Sequence, residues 1–323
     1  MLNKVSIINL NKANITLYVI SILLLFNYRI ALAEQNNHQT ARIAILFPTV
    51  SEQYSHMFEN LIDGIKSVPG YEFISYRIDN ESTPEHLNQW HKQNNITGFI
   101  ALGQTTYKLV QSINSRLPLI TGGMVSAPPG INGISLSGDP EAFFRHLQLL
   151  NPGVNRVFYI YSKRNNGWLI DKARKISQKY NIEFVSLEVK DYKQATLQYK
   201  IILNSIQPVT DALWLPLDNI APLNILLPEI LKTSWDKHIT VFSNNLQHTR
   251  RGTLFSLYPD HYKQGRRLVA LLQRKLDNPN SPAVLLASVD LKIALNTRTA
   301  AHLNMSFNKE MTDNFDQLYP SHK

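Results

Sequence analysis

Residues 41–51 read Ala41-Arg42-Ile43-Ala44-Ile45-Leu46-Phe47-Pro48-Thr49-Val50-Ser51, and this stretch decides the fold. The first seven form a nearly continuous apolar run, as expected of a strand covered on both faces rather than one half in water. Pro48 to Ser51 reads as the loop leaving that strand. Tyr54, Met57, Phe58, Leu61, Ile62 and Ile65 then recur at helical spacing and make one apolar face. Pro69-Gly70 stops the helix.

The rhythm continues outward from this first pair. Strands are expected at residues 71–78, 97–102, 117–121 and 131–136. Between them lie a helix capped by Thr83 with Pro84 in its first position and another at 104–113. A second set follows, with helices at 140–150, 168–180, 191–206 and 223–235, and strands at 156–161, 182–189, 212–217 and 239–243. Parallel strands need crossover helices, so this alternation predicts an α/β fold of two doubly wound parallel-sheet lobes, divided near Gly138. The tail offers a strand at 252–257, a helix at 258–277, a break at 278–282, an extended stretch at 283–295 and a short helix at 297–302. These are too few elements for a third domain, so the chain is expected to pass between the lobes more than once.

Ahead of this body, residues 1–33 read as an export signal. Lys4 and Lys12 precede an uncharged run from Ile15 to Phe26, and Ala31-Leu32-Ala33 supplies a cleavage pattern that leaves Glu34 first. The run is shorter than the roughly 20 apolar residues of a membrane span. Export to the periplasm discounts kinase, dehydrogenase and transcription-factor functions. There is no cysteine, which excludes disulfides and a lipobox. The formal charge is +9; Lys4, Lys12 and Arg29 fall in the leader, which has no acid, so the remainder carries +6. Its basic residues are scattered along helices, as on a solvated face rather than a nucleic-acid surface.

In open α/β sheets, ligands sit beyond the carboxyl ends of the strands, where helix N-termini offer unpaired N–H groups. The first lobe contributes Thr49-Val50-Ser51-Glu52, Gly103-Gln104-Thr105-Thr106 and Gly122-Gly123-Met124; the second contributes residues 162–168, Asp218-Asn219 and Asn244-Asn245. Two readings stand for Ser51, Thr105 and Asp218: helix caps, or contacts to a small polar ligand. Trp168 either stacks on a ligand ring or packs inside, whereas Trp214, within an apolar strand, reads as core. No phosphate loop, Gly-x-Gly-x-x-Gly or Gly-x-Ser-x-Gly is present. His86 and His91 lie on a polar helix and read as solvated, with no His-Glu-x-x-His for a metal. Binding without catalysis, cofactor or metal is the expectation.

Several short motifs carry a family resemblance by their order and spacing. They include Ile62-Asp63-Gly64-Ile65, Asn132-Gly133-Ile134-Ser135, Leu149-Leu150-Asn151-Pro152-Gly153-Val154, Ala212-Leu213-Trp214-Leu215-Pro216-Leu217-Asp218, Gly252-Thr253-Leu254-Phe255-Ser256 and Asn296-Thr297-Arg298-Thr299-Ala300. Together they resemble the substrate-binding proteins of ABC transporters with the periplasmic-binding-protein type I fold, a group that includes aromatic-amino-acid binders. The family's Asp-Pro pair after the fourth strand is replaced here by Gly123-Met124-Val125-Ser126.

The resemblance implies three hinge crossings, placed near residues 136–138, Tyr258-Pro259 and Ser281-Pro282. Lobe 1 would then hold residues 34–137 and 259–281, and lobe 2 residues 138–258 and 282–323. It carries a ligand pocket onto Ser51, Glu52, Gly103, Thr105 and Thr106 of the first lobe and Asp218, Asn244 and Asn165 of the second, with Trp168 near any aromatic group. A zwitterion would put its carboxylate on Thr105 and Thr106 and its ammonium on Asp218. The implied partner is the membrane permease of an ABC importer; a sensor kinase or chemoreceptor reading the same closed form, and an exported two-domain hydrolase, remain as alternatives. A monomer is expected.

Overall fold

The computed structural model describes residues 40–126, 130–218 and 220–320. The expected leader with its expected cleavage site at Ala33, and Asn219, fall outside the described residues. Among the described residues no helix is long and apolar enough to cross a membrane.

The chain begins with β1 (Ala41–Pro48), α1 (Glu52–Lys66), β2 (Tyr71–Ile78), α2 (Pro84–Gln93), β3 (Gly98–Leu102), α3 (Gln104–Ser112), β4 (Leu119–Gly122) and β5 (Asn132–Gly138). It then passes to α4 (Pro140–Leu150), β6 (Arg156–Tyr161), α5 (Lys163–Lys179), β7 (Glu183–Glu188), α6 (Tyr192–Ser205), β8 (Asp211–Leu215), α7 (Leu223–Lys237), β9 (Thr240–Ser243), α8 (Leu246–Arg251) and β10 (Phe255–Pro259). The last part is α9 (His261–Asp277), β11 (Leu285–Ser288), β12 (Leu291–Asn296), α10 (Thr297–His302), α11 (Lys309–Thr312) and β13 (Gln317–Tyr319).

These strands form two sheets, one ordered β11-β5-β4-β3-β1-β2 and the other β13-β12-β10-β9-β8-β6-β7. In the first, β1 runs parallel to β3, with Ile43 opposite Gly98 and Leu46 opposite Ala101. Ile43, Ala44, Ile45 and Leu46 are fully buried, which is why the opening stretch shows no alternation. In the second, β12 returns antiparallel to β10 while the central strands stay parallel. The fold is the expected α/β pair of doubly wound lobes joined by three crossings, the periplasmic-binding-protein type I architecture.

The crossings follow β5, β10 and β11. After β10 the chain enters α9, which docks on α1 of the first lobe through two glycines. A Cβ on Gly64 would lie 2.0 Å from the Tyr262 carbonyl oxygen, and one on Gly265 would lie 2.2 Å from that of Leu61. Only glycines let two helix backbones come this close. The third crossing corrects the expectation near Ser281-Pro282. Residues 285–288 pair in parallel with β5, Leu285 opposite Gly133, so they belong to the first sheet. The chain changes lobes instead at Val289-Asp290, where no glycine or proline marks the turn.

The second lobe is held by an aromatic core. Trp214 is buried, as expected, with its ring 4.5 Å from Phe143, 4.8 Å from Tyr159 and 5.6 Å from Phe242. Three elements went unforeseen: α8, α11 and β13 are each six residues or shorter, too brief for a periodic signal. The helix expected at 168–180 begins earlier, at Lys163, so Asn165 and Asn166 lie in its first turn rather than in a loop.

Candidate functional site

The carboxyl ends of the central strands of both sheets meet across a cleft. On the second-lobe side its walls are organised by one carboxylate. Asp218, after β8, is 8% exposed. Its Oδ2 accepts hydrogen bonds from the Ser162 amide at 3.0 Å and Asn166 Nδ2 at 3.0 Å. Its Oδ1 accepts from Asn165 Nδ2 at 2.7 Å and the Ile220 amide at 2.9 Å. A carboxylate has about four lone-pair positions, and here all four are committed within the lobe. Asp218 therefore ties the start of α5 to the loop that leads into α7. Its negative charge also raises the hydroxyl pKa of the buried Tyr159 and Tyr199, although burial is the larger cause.

Asn166 extends this network across the lobes. The Ser137 hydroxyl of β5 donates to Asn166 Oδ1 at 3.3 Å, and both residues are buried. Asn244, after β9, accepts from Trp214 Nε1 at 2.6 Å, so the aromatic core fixes the orientation of an amide at the cleft.

Three cavities open along the cleft. One, of about 820 Å³, is lined by Gln104 and Ser126 of the first lobe and by Lys163, Arg164, Trp168 and Glu188 of the second. A second, of about 670 Å³, shares Gln104, Ser126, Lys163 and Arg164 and adds Ser162 and Asn165. The third, of about 560 Å³, lies by the hinge and is lined by Tyr54, Met57, Asn244, Tyr258, His261 and Tyr262. Among the described residues no three acids, histidines or cysteines are placed to hold a metal.

The residues expected from sequence distribute unevenly over these walls. Asn165 and Trp168 line the outer cavities, joined by a Trp168 Nε1 hydrogen bond to the Asn165 carbonyl at 3.1 Å. Asn244 lines the hinge-side cavity. Ser51 and Glu52 are exposed at the start of α1, and Thr105 is exposed in the first turn of α3. Gly103 caps α3 with φ of 88°, a conformation that favours glycine. Thr106 is fully buried, and its hydroxyl donates to the Leu102 and Gly103 carbonyls at 2.5 and 2.6 Å. It stabilises its own turn. Gln104, Ser126, Lys163 and Arg164 were not singled out, although they line both outer cavities. The available signal was Lys163 and Arg164 themselves, two cations opening a helix against its dipole.

No protein-family model and no curated protein sequence matches the chain. Solved structures do match in fold. A conserved domain protein from Vibrio cholerae O1 biovar El Tor aligns with a TM-score of 0.55 at 16% identity, covering 86% of this chain and 99% of that one. An ABC domain from Streptococcus pneumoniae in complex with L-Trp aligns with a TM-score of 0.54 at 15% identity, over 86% and 99% of the two chains. The ligand-free, open form of CD0873, a substrate-binding protein with adhesive properties from Clostridium difficile, gives 0.59 at 14% identity, over 86% and 98%. Substrate binders of the periplasmic-binding-protein type I fold are thus among the structures this chain resembles.

Proposed function

We propose that this protein is an exported solute receptor that closes its two lobes on a small polar ligand and presents it to the permease of an ABC importer. The observation that carries the proposal is the cleft itself. Cavities lined from both lobes lie where two sets of strand ends converge, and the chain passes between the lobes three times. Such a joint bends as a hinge, so a ligand touching both walls favours the closed form. The leader-like residues 1–33 and the fold shared with two substrate-binding proteins support the same reading. The neighbour holding L-Trp makes amino acids the first class to screen. We propose binding without turnover.

A thermal-shift screen of amino acids, purines, sugars and short peptides tests the proposal. A ligand at a hundred times its dissociation constant stabilises by about 2.7 kcal/mol. Small-angle scattering with the resulting ligand should then give a smaller radius of gyration, and mass spectrometry should recover the ligand unchanged. An unchanged radius removes the hinge mechanism, and a converted ligand makes the protein an enzyme. Co-purification with a permease separates an importer from a sensor.

A further inference from the structure

The helix caps of the protein are not distributed at random. Seven of the eleven described helices have an N-cap side chain accepting from a first-turn amide: Thr83, Asp139, Asp191, Asn245, Asp260, Asn296 and Asn308. The four without one are α1, α3, α5 and α7, with Ser51, Gly103, Ser162 and Pro222 at their caps. These four follow β1, β3, β6 and β8, inner parallel strands of the two sheets, so their amide-bearing ends lie on the cleft side; α8, after the equally central β9, is capped by Asn245.

The start of α5 departs furthest from what a helix prefers. Its first turn holds no acid but does hold Lys163 and Arg164, and cations there oppose the helix dipole. Neither forms an ion pair among the described residues. Of the acids on the same cavity walls, Asp171 faces Arg174 at 3.5 Å and Asp191 caps α6, which leaves Glu188 against Lys163, Arg164 and Lys190. Ser162 supplies an independent sign of a ligand. It is 7% exposed, lines the cavity and gives its amide to Asp218, yet its hydroxyl makes no hydrogen bond among the described residues. A serine at an N-cap normally satisfies an amide of its own helix; this one does not.

We propose that the second lobe takes an anionic group of the ligand, a carboxylate or a phosphoryl group, at the start of α5 between Ser162, Lys163 and Arg164, while Gln104 at the start of α3 closes on it from the first lobe. This rests on the receptor reading above and adds the sign of the charge. It also reverses the polarity expected for a zwitterion, because the negative end, not the ammonium, meets the second lobe. Charge-assisted hydrogen bonds to a guanidinium and an ammonium are the strong kind, and two uncapped helix ends add to them.

The test is an amide-resolved NMR titration of the isotope-labelled protein with sodium acetate and with sodium phosphate, against sodium chloride at matched ionic strength. Saturable shifts at residues 162–166 are expected, and whichever anion saturates first identifies a carboxylate or a phosphoryl site. The Lys163→Gln/Arg164→Gln variant, with its amide spectrum as the check on folding, should bind about tenfold more weakly or worse. Shifts no larger than those in chloride, or an unchanged titration in the variant, would overturn the inference. A neutral or cationic ligand from the thermal screen that stabilises both proteins equally would overturn it while leaving the receptor reading intact. Saturable anion shifts without any stabilising or closing ligand would instead support this site and count against the receptor.

Discussion

The Ser137 hydroxyl donates to the side-chain carbonyl of Asn166 at 3.3 Å, joining a hinge strand of the first lobe to the first turn of α5 in the second. Asn166 then donates from Nδ2 to Asp218 at 3.0 Å. Since its amide sits between a donor and an acceptor, its orientation is determined. The chain of bonds runs from the hinge to the carboxylate that positions the second-lobe wall, and both ends of the Ser137–Asn166 contact are removed from water.

Ser137→Ala should therefore lower stability by about 1–2 kcal/mol, the loss expected when a buried carbonyl keeps no partner. Urea unfolding should show a lower midpoint with an unchanged slope. An unchanged midpoint would mean that the contact contributes nothing.

Asp218→Asn should be destabilising without any ligand present. The new amide nitrogen must face either the Ser162 amide and Asn166 Nδ2 or the Ile220 amide and Asn165 Nδ2. In each orientation donors meet donors, which costs about 2–4 kcal/mol in a buried site. Calorimetric unfolding of the unliganded variant checks this. Any loss of ligand affinity in Asp218→Asn then arises from a displaced α5 start, and a variant of wild-type stability would restore a direct ligand contact for Asp218.

Gly265→Ala should weaken the docking of α9 on α1. The added methyl would approach the Leu61 carbonyl oxygen to 2.2 Å, and backbone cannot step aside as a flexible side chain does. A loss of at least about 2–3 kcal/mol follows, read as a lower melting temperature. Leu268→Ala on the same helix, where the side chain is fully buried, should cost a comparable amount by leaving a cavity. A Gly265→Ala protein as stable as the wild type would show that the two helices do not approach this closely.

Much of this architecture is legible in the residues because the determining signals are local. The buried strands lack alternation, the helices keep one apolar stripe, and Thr83-Pro84 and Pro69-Gly70 mark ends by their own chemistry. What was not legible depends on distant partners. Asn165-Asn166-Gly167 looks like a turn, and it is helical because Asp218 and Ser137, far apart in sequence, take the amides of Asn165 and Asn166. The third crossing was displaced for a related reason: residues 283–295 read as one extended run, and only pairing with β5 and β10 splits it. At the site, the strand-end rule points to loops, several of which border the cavities described above. Which side chain faces a cavity is not legible there, since helical phase decides it: Gln104 borders both outer cavities, whereas Thr106 is buried in its own turn.

His248 makes the stability of the second lobe depend on pH. It lies in α8 with its Nδ1 2.8 Å from Ser243 Oγ, and burial, aided by the nearby Arg251 charge, lowers its pKa from 6.5 to about 4. The folded-state value lies below the unfolded one, so the unfolded chain takes up the proton first. The contribution is fully present above about pH 6.5 and is lost as pH falls toward 4. By pH 5 the loss from this residue alone is about 2 kcal/mol. His146 and His261 are lowered by burial too and act in the same direction. Melting temperature should therefore fall between pH 7 and pH 5, and His248→Asn should show a shallower fall with part of the slope remaining. A His248→Asn protein with the full wild-type slope would assign the acid sensitivity to other groups.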